Sequence, residues 1–192
     1  MTESNGPSRS RLRFLRHPVT IAGLVVLIVA VGFAAYWFQP WKLFTTTTVD
    51  EAPPAVAAGP DGAGPQVTAT GAAVTEVVAQ GDLVSQEHDT SGTVQLLRLP
   101  DESLVVRVAD LETSDGPDLK VWLTDAPVTP GLDGAGVFDD GRWVDLGSLK
   151  GNRGSANYPV PAGTDVDGLS SVSIWCDRFN VSFGAAELTP ST

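Results

Sequence analysis

Apolar residues along this chain follow two patterns. Val19 to Phe38, "VTIAGLVVLIVAVGFAAYWF", is a run of 20 residues with no charged side chain. At about 1.5 Å per residue, a helix of that length covers roughly 30 Å, the thickness of a bilayer's hydrocarbon core. No polar stripe divides the run, so it does not read as a half-buried amphipathic helix. From about Val74 onward the pattern changes to period two. In "SLVVRVAD", Leu104, Val106 and Val108 fall on one face, and Ser103, Val105 and Arg107 on the other. "DLKVWLT" sets Leu119, Val121 and Leu123 against Lys120, Trp122 and Thr124. "RFNVSFG" sets Phe179, Val181 and Phe183 against Arg178, Asn180 and Ser182. Such alternation predicts half-buried antiparallel strands. Further strands are expected at Leu83–His88, Thr93–Leu99, Trp143–Leu149, Asn157–Val160 and Val172–Cys176, separated by Gly, Pro and Asp clusters. The fold class is therefore all-β, an antiparallel β-sandwich or a Greek-key barrel, preceded by a single transmembrane helix and a disordered linker.

The segment between the two patterns is rich in Thr, Pro, Gly and Ala and lacks aromatic residues from Thr45 to Ala73. It has too little apolar surface to offset its ordering entropy. Four parts follow: a basic segment 1–17, a transmembrane helix 18–41, a flexible linker 42–73 and a β domain 74–190. Charge orients them. Arg9, Arg11, Arg13 and Arg16 against Glu3 give the first segment +3, in a chain whose net charge is −11. Arginines before the span, with only Lys42 soon after it, place the N-terminus in the cytoplasm and the β domain outside, single-pass in the plasma membrane. The aromatic cluster Tyr36, Trp37, Phe38 and Trp41 suits a lipid–water interface. Gly32 and Ala34 leave cleavage as a signal peptide as the alternative. An acidic body of this kind argues against nucleic acid as a partner.

The chemistry available outside the membrane is limited. Of two histidines, His17 precedes the span, so His88 is the external one. That excludes a histidine-rich zinc or copper centre within one chain, and no nucleophile-elbow or phosphate-cradling motif is present. The clusters "DLETSDGPDL" and "LDGAGVFDDGRWVD" read first as turns, with calcium as the alternative, although their spacing fits no EF-hand. The block "GSLKGNRGSANYPVP" supplies tight turns or a backbone-lined rim. Cys176 is the single cysteine. It has no internal disulfide partner, which leaves a buried inert thiol, a bond to another chain, or a redox or ligating group. Trp122, Trp143 and Trp175 read as core, with a docking surface as the alternative.

Four blocks in order carry a resemblance: "GDLVSQEHDTSGTVQLL", "LVVRVADLETSDGPDLKVWLT", "DLGSLKGNRGSANYPVP" and "VSIWCDRFNVSFGAAEL". From about Val78 to Leu188 the chain resembles the DM13 domain family, in a membrane-anchored form of bacterial type. The resemblance implies an all-β extracytoplasmic module with a proposed electron-transfer role. Animal members of the family stand beside DOMON domains, which resemble haem-binding cytochrome domains. No such segment is seen here, so a haem or flavin partner is expected on another protein. The resemblance also implies that the cysteine of the "WC" pair, here Cys176, is redox-active. His88 is expected to support it, with Asp118, Trp175 and Tyr158 as binding candidates. No metal site is expected and the cofactor stays open. A stand-alone enzyme is not the expected reading. The competing function is a surface binding or adhesion module with a structurally buried cysteine, with calcium in its acidic loops as a variant of that reading.

Overall fold

A computed structural model describes residues 18–54 and 75–191. The apolar run forms one helix, α1 (Pro18–Phe38), of 21 residues, long and apolar enough to cross a membrane. By length and composition alone, a signal sequence near the N-terminus meets the same description. The helix stops three residues before the expected end at Trp41. Gln39 takes a left-handed φ of 43°, and it precedes Pro40, whose ring disfavours helical geometry at the residue before it.

The second unit begins at Trp41 and is built from strands. A short 3-10 turn, Pro40–Phe44, leads into β1 (Thr48–Asp50). There follow β2 (Glu76–Asp82), β3 (Val84–Ser85), β4 (Ser91–Arg98), β5 (Leu104–Glu112) and β6 (Leu119–Thr124). The set is completed by β7 (Trp143–Ser148), β8 (Arg153–Pro159), β9 (Ser171–Cys176), β10 (Val181–Glu187) and β11 (Thr189–Pro190). They form a six-stranded sheet, β1-β8-β5-β4-β2-β11, and a five-stranded sheet, β3-β10-β9-β6-β7. Every pairing is antiparallel except β1 with β8. The two sheets enclose one apolar core and do not close into a barrel, so of the two architectures expected the sandwich is the one formed.

Period-two alternation explains which side chains fill the core. Val106 and Val108 of β5, Val94 and Leu96 of β4, and Ala156 and Tyr158 of β8 come from the larger sheet. Leu119, Val121 and Leu123 of β6 meet them with Val172, Ile174 and Cys176 of β9. Each fully buried Val, Leu or Ile contributes roughly 1.5–3 kcal/mol. The opposite faces of β6 and β9 are also buried, because residues 125–142 fold over the smaller sheet and place Ala126 and Phe138 against Trp122 and Trp175.

Three expectations change. The alternation in "RFNVSFG" is not a strand throughout. Residues 177–180 turn the chain, Asn180 takes φ 50°, and β10 starts at Val181 with a bulge between Ser182 and Gly184. In the stretch Leu83–His88 only Val84–Ser85 pair as a strand. Thr48–Asp50 fall inside the expected linker yet pair along Arg153–Ser155, because Gly154 leaves room for them. Gly154 has φ 95°, and a β-carbon there would meet the carbonyl of Val49. The basic segment 1–17 and the linker residues 55–74 lie outside the described residues.

Candidate redox site

Cys176 ends β9. Its neighbours across the sheet are Leu119 in β6 and Val181 in β10. Alternation turns it inward with Ile174, and its exposure is 0%. The turn that follows folds back on the sulfur. Backbone N–H groups of Phe179, Arg178 and Asp118 are directed at the thiol, and the Phe179 N–H also donates to the Cys176 carbonyl at 3.2 Å. Asp177 is exposed, and its N–H donates to the Asp118 carbonyl at 3.0 Å, which ties the turn after β9 to the turn before β6. Burial pushes the Cys176 thiol above its ordinary pKa, and the Asp118 carboxylate acts in the same direction; the three N–H groups oppose both. The sulfur is thus a protonated thiol in dry surroundings, facing dipoles arranged for a negative charge.

The turn before β6 is "DGPDL". Asp115 accepts from the N–H of Gly116 at 2.8 Å and from Thr45 Oγ1 at 2.7 Å. Lys42 Nζ donates to the Gly116 carbonyl at 3.0 Å. Gly116 permits a close approach, since a β-carbon there would stand 2.9 Å from Phe183 Cζ. Residues 115–119, with Lys42, Thr47 and residues 148–152, line a cavity of about 230 Å³. Its wall residue Leu119 is the cross-strand neighbour of Cys176. Asp118 lies in the same wall, 3.6 Å from Lys120 Nζ. Tyr158 is buried in the core; its hydroxyl accepts from the N–H of Lys150, another wall residue, at 3.1 Å, and Lys150 Nζ sits over the ring. Burial raises the Tyr158 pKa.

His88 lines a different cavity. Its ring packs on Phe183, with centroids 3.8 Å apart, and Nδ1 is 2.7 Å from Ser114 Oγ. It lines a second cavity of about 510 Å³ with Asp89, Glu112, Ser114 and Arg153. Burial lowers its pKa, partly opposed by Glu87 and Asp89. The groups that act on the Cys176 thiol and those that act on His88 are different sets. Asp118 is therefore brought to Cys176, Tyr158 to the wall of the adjoining cavity, and His88 to a separate one. Among the described residues, no three His, Cys, Asp or Glu side chains converge as metal ligands.

Trp175 faces away from Cys176, into an aromatic stack on the outer side of the smaller sheet. Trp122 lies 4.8 Å from Trp175 and 4.1 Å from Trp143, centroid to centroid, and Phe138 meets Trp175 edge-on. The register explains the stack. Trp122 is opposite Ser173 and Asp145, so Trp175 and Trp143 are its diagonal neighbours on the same face. Of the three expected core tryptophans, Trp175 and Trp122 are buried, while Trp143 is 44% exposed. The Nε1 groups of Trp122 and Trp175 are buried without a hydrogen-bond partner. Stacking contributes about 0.5–1.5 kcal/mol per pair, whereas an unsatisfied buried donor costs about 1–3 kcal/mol. Burying each indole, about 150–250 Å² of surface at about 25 cal/mol per Å², outweighs that cost.

Two features escaped the sequence reading. Asn152 is buried, accepts from the Thr47 N–H and donates to the Thr113 carbonyl. Its presence in a Gly-flanked block was the available signal. Lys42 and Thr47 fall in the expected linker, and no local pattern marks them as wall residues.

A search among curated proteins and one among solved structures gave no match. A family model described as Electron transfer DM13 matches residues 82–188, which take in β3 to β10, both turns around Cys176 and the cavity wall from Asp115 to Asn152. That span is more than half of the sequence, and the chain belongs to the DM13 electron-transfer family.

Proposed function

We propose that the chain is a membrane-tethered electron-transfer module with its β domain outside the cytoplasm and Cys176 as its redox-responsive group. The observation that carries this reading is the convergence of two turns on one sulfur. N–H groups from Asp118, Arg178 and Phe179 are aimed at a thiol that has no disulfide partner. Pre-placed dipoles of this kind stabilise charge as it develops on the sulfur, without reorganisation. The family match supports electron transfer as the class of function. A single apolar helix preceded by four arginines supports the tether and its orientation. Redox partners are expected on the outer side. Asp118 tunes the sulfur, Tyr158 and Lys150 hold the cavity wall, and His88 serves a separate surface.

The complete burial of Cys176 favours a second reading, a binding module with an inert core thiol. Stoichiometric oxidation by ferricyanide separates the two. The intact chain in detergent micelles is expected to reduce ferricyanide in proportion to its Cys176 content, and Cys176→Ser, with an unchanged melting temperature, to reduce none. Equal reduction by both chains, or none by either, overturns the redox assignment and leaves the binding module.

A further inference from the structure

We infer that Trp41, Leu43 and Phe44 dock the β domain on the lipid–water interface, so that the domain sits on the bilayer with no free stalk beneath it. The three side chains are 51%, 57% and 89% exposed. They crowd into four residues at the start of the folded unit. The one charged residue among them turns the other way. Lys42 Nζ donates to the Gly116 carbonyl at 3.0 Å and pairs with Asp115 at 3.5 Å. The turn therefore spends its cation on the domain and offers apolar groups outward, the mark of an interaction surface. Trp beside Leu and Phe suits the boundary between headgroups and acyl chains.

Chain length names the occupant. The inference rests on the reading of α1, which ends at Phe38, as a retained membrane anchor. Trp41 is three residues beyond Phe38 and Phe44 six. At roughly 3.3–3.6 Å per residue, an extended chain carries them at most about 11 and 22 Å from the helix end. The headgroup layer is about 5–8 Å deep on each side of the hydrocarbon core. The lipid surface is within reach of all three side chains in any arrangement of the chain, which a soluble partner is not. Because Lys42 is already engaged, the docking is apolar, and zwitterionic lipid suffices for it.

The chain that follows has no slack. Thr45 Oγ1 donates to Asp115 at 2.7 Å, and the Thr47 N–H donates to Asn152 Oδ1 at 2.7 Å. Thr48–Asp50 then pair along β8. Residues 42–50 are thus fastened to the domain, and the Pro-, Gly- and Ala-rich segment 55–74 falls between β1 and β2 along the chain, not between helix and domain. The fastening also says which end of the domain meets the lipid. Lys42 and Thr47 line the cavity of about 230 Å³ together with Ser148, and its wall residue Leu119 is the cross-strand neighbour of Cys176. Five residues along each strand, Thr124 pairs with Ser171 at the other end of the smaller sheet. That end, with residues 161–170 leading into it, points to the outer compartment.

Lipid-borne quenchers test it. The full chain, with Cys176→Ser and one new cysteine carrying a fluorophore, is reconstituted in phosphatidylcholine vesicles that contain a phospholipid with a nitroxide on its headgroup. Ser148→Cys reports the cavity end and Ala162→Cys the far end; both positions are exposed. Quenching at position 148 is expected to exceed that at 162 several-fold. Adding Leu43→Ser and Phe44→Ser, which leaves Lys42 and Thr45 in place, is expected to bring the two positions toward equal quenching. Near-UV circular dichroism confirms that each variant is packed. Equal quenching at 148 and 162 with Leu43 and Phe44 intact, in a chain that stays with the vesicles through an alkaline wash, overturns the docking and leaves the anchor standing. A chain that leaves the vesicles in that wash overturns both. A difference that survives the two serine substitutions unchanged overturns the assignment of this turn as the docking surface.

Discussion

At the scale of single residues, the sulfur of Cys176 and the ring of His88 make separable predictions. Three N–H groups face the sulfur. Cys176→Ser leaves an oxygen to accept from them, whereas Cys176→Ala turns a methyl toward the Arg178 and Asp118 N–H groups, while the Phe179 N–H keeps the residue 176 carbonyl. Alanine is the more apolar replacement, yet it is expected to be the less stable, by about 1–3 kcal/mol, in denaturant melts of the β domain. A serine variant that melts below the alanine variant would show that the N–H groups are satisfied elsewhere. His88 carries a pH dependence. Burial holds its folded-state pKa below the ordinary 6.5. As pH falls through that value the unfolded chain takes up a proton that the folded ring still refuses, so the unfolded state binds more protons and stability declines. The loss begins at the unfolded pKa and is complete once the folded pKa has been passed. His88→Gln is expected to flatten the change in denaturation midpoint between neutral and mildly acidic pH. An NMR titration of His88 with a midpoint at or above 6.5 contradicts it.

At the scale of elements, what the sequence shows depends on whether an element's partner is local. β5 and β6 announce themselves by alternation, because one face of each carries apolar side chains into the core between the sheets. Alternation also sends Trp175 and Cys176 to opposite faces, as the structure does. It does not say that residues 125–142 cover the outer face, and so it cannot tell a docking surface from a stack. The turn 177–180 was hidden because Phe179 and Val181 keep the beat of a strand across a corner made by the left-handed Asn180. The convergence at Cys176 was hidden for a related reason. The cavity beside it is lined by residues near 42, 116 and 150, whose meeting depends on strand order. β1 is the extreme case, since its three residues pair with Arg153–Ser155, about a hundred positions away. Its place depends on Gly154, which has a left-handed φ and no room for a β-carbon beneath the Val49 carbonyl. Gly154→Ala is expected to cost about 1–3 kcal/mol through backbone strain alone, and more as β1 is displaced. Hydrogen exchange is the local check. Amides of residues 48–51 should lose protection in the variant, while β9 and β6 keep theirs. Retained protection at 48–51 means that β1 does not need the glycine.

At the scale of the whole molecule, charge and the start of the folded unit decide where the domain works and what its anchor does. The chain carries a net −11, although its first residues hold four arginines. On the proposed reading, a basic head, one apolar helix and an acidic body set the chain N-in, C-out when the helix is retained. The folded unit starts at Trp41, soon after α1 ends at Phe38. Cleavage after Ala34 would therefore leave β1 and the cavity wall intact. The same domain would be released rather than held, so fold and redox assays cannot distinguish the two. Fractionation can. An intact anchor predicts a full-length chain that stays with membranes through an alkaline wash. Protease added outside intact spheroplasts should then remove a C-terminal epitope and spare an N-terminal one. A soluble chain whose new N-terminus lies just after Ala34 would show instead that the helix is a signal sequence. Protection of the C-terminal epitope would reverse the orientation. It would also place Cys176 in a reducing compartment, where a solitary thiol needs no partner.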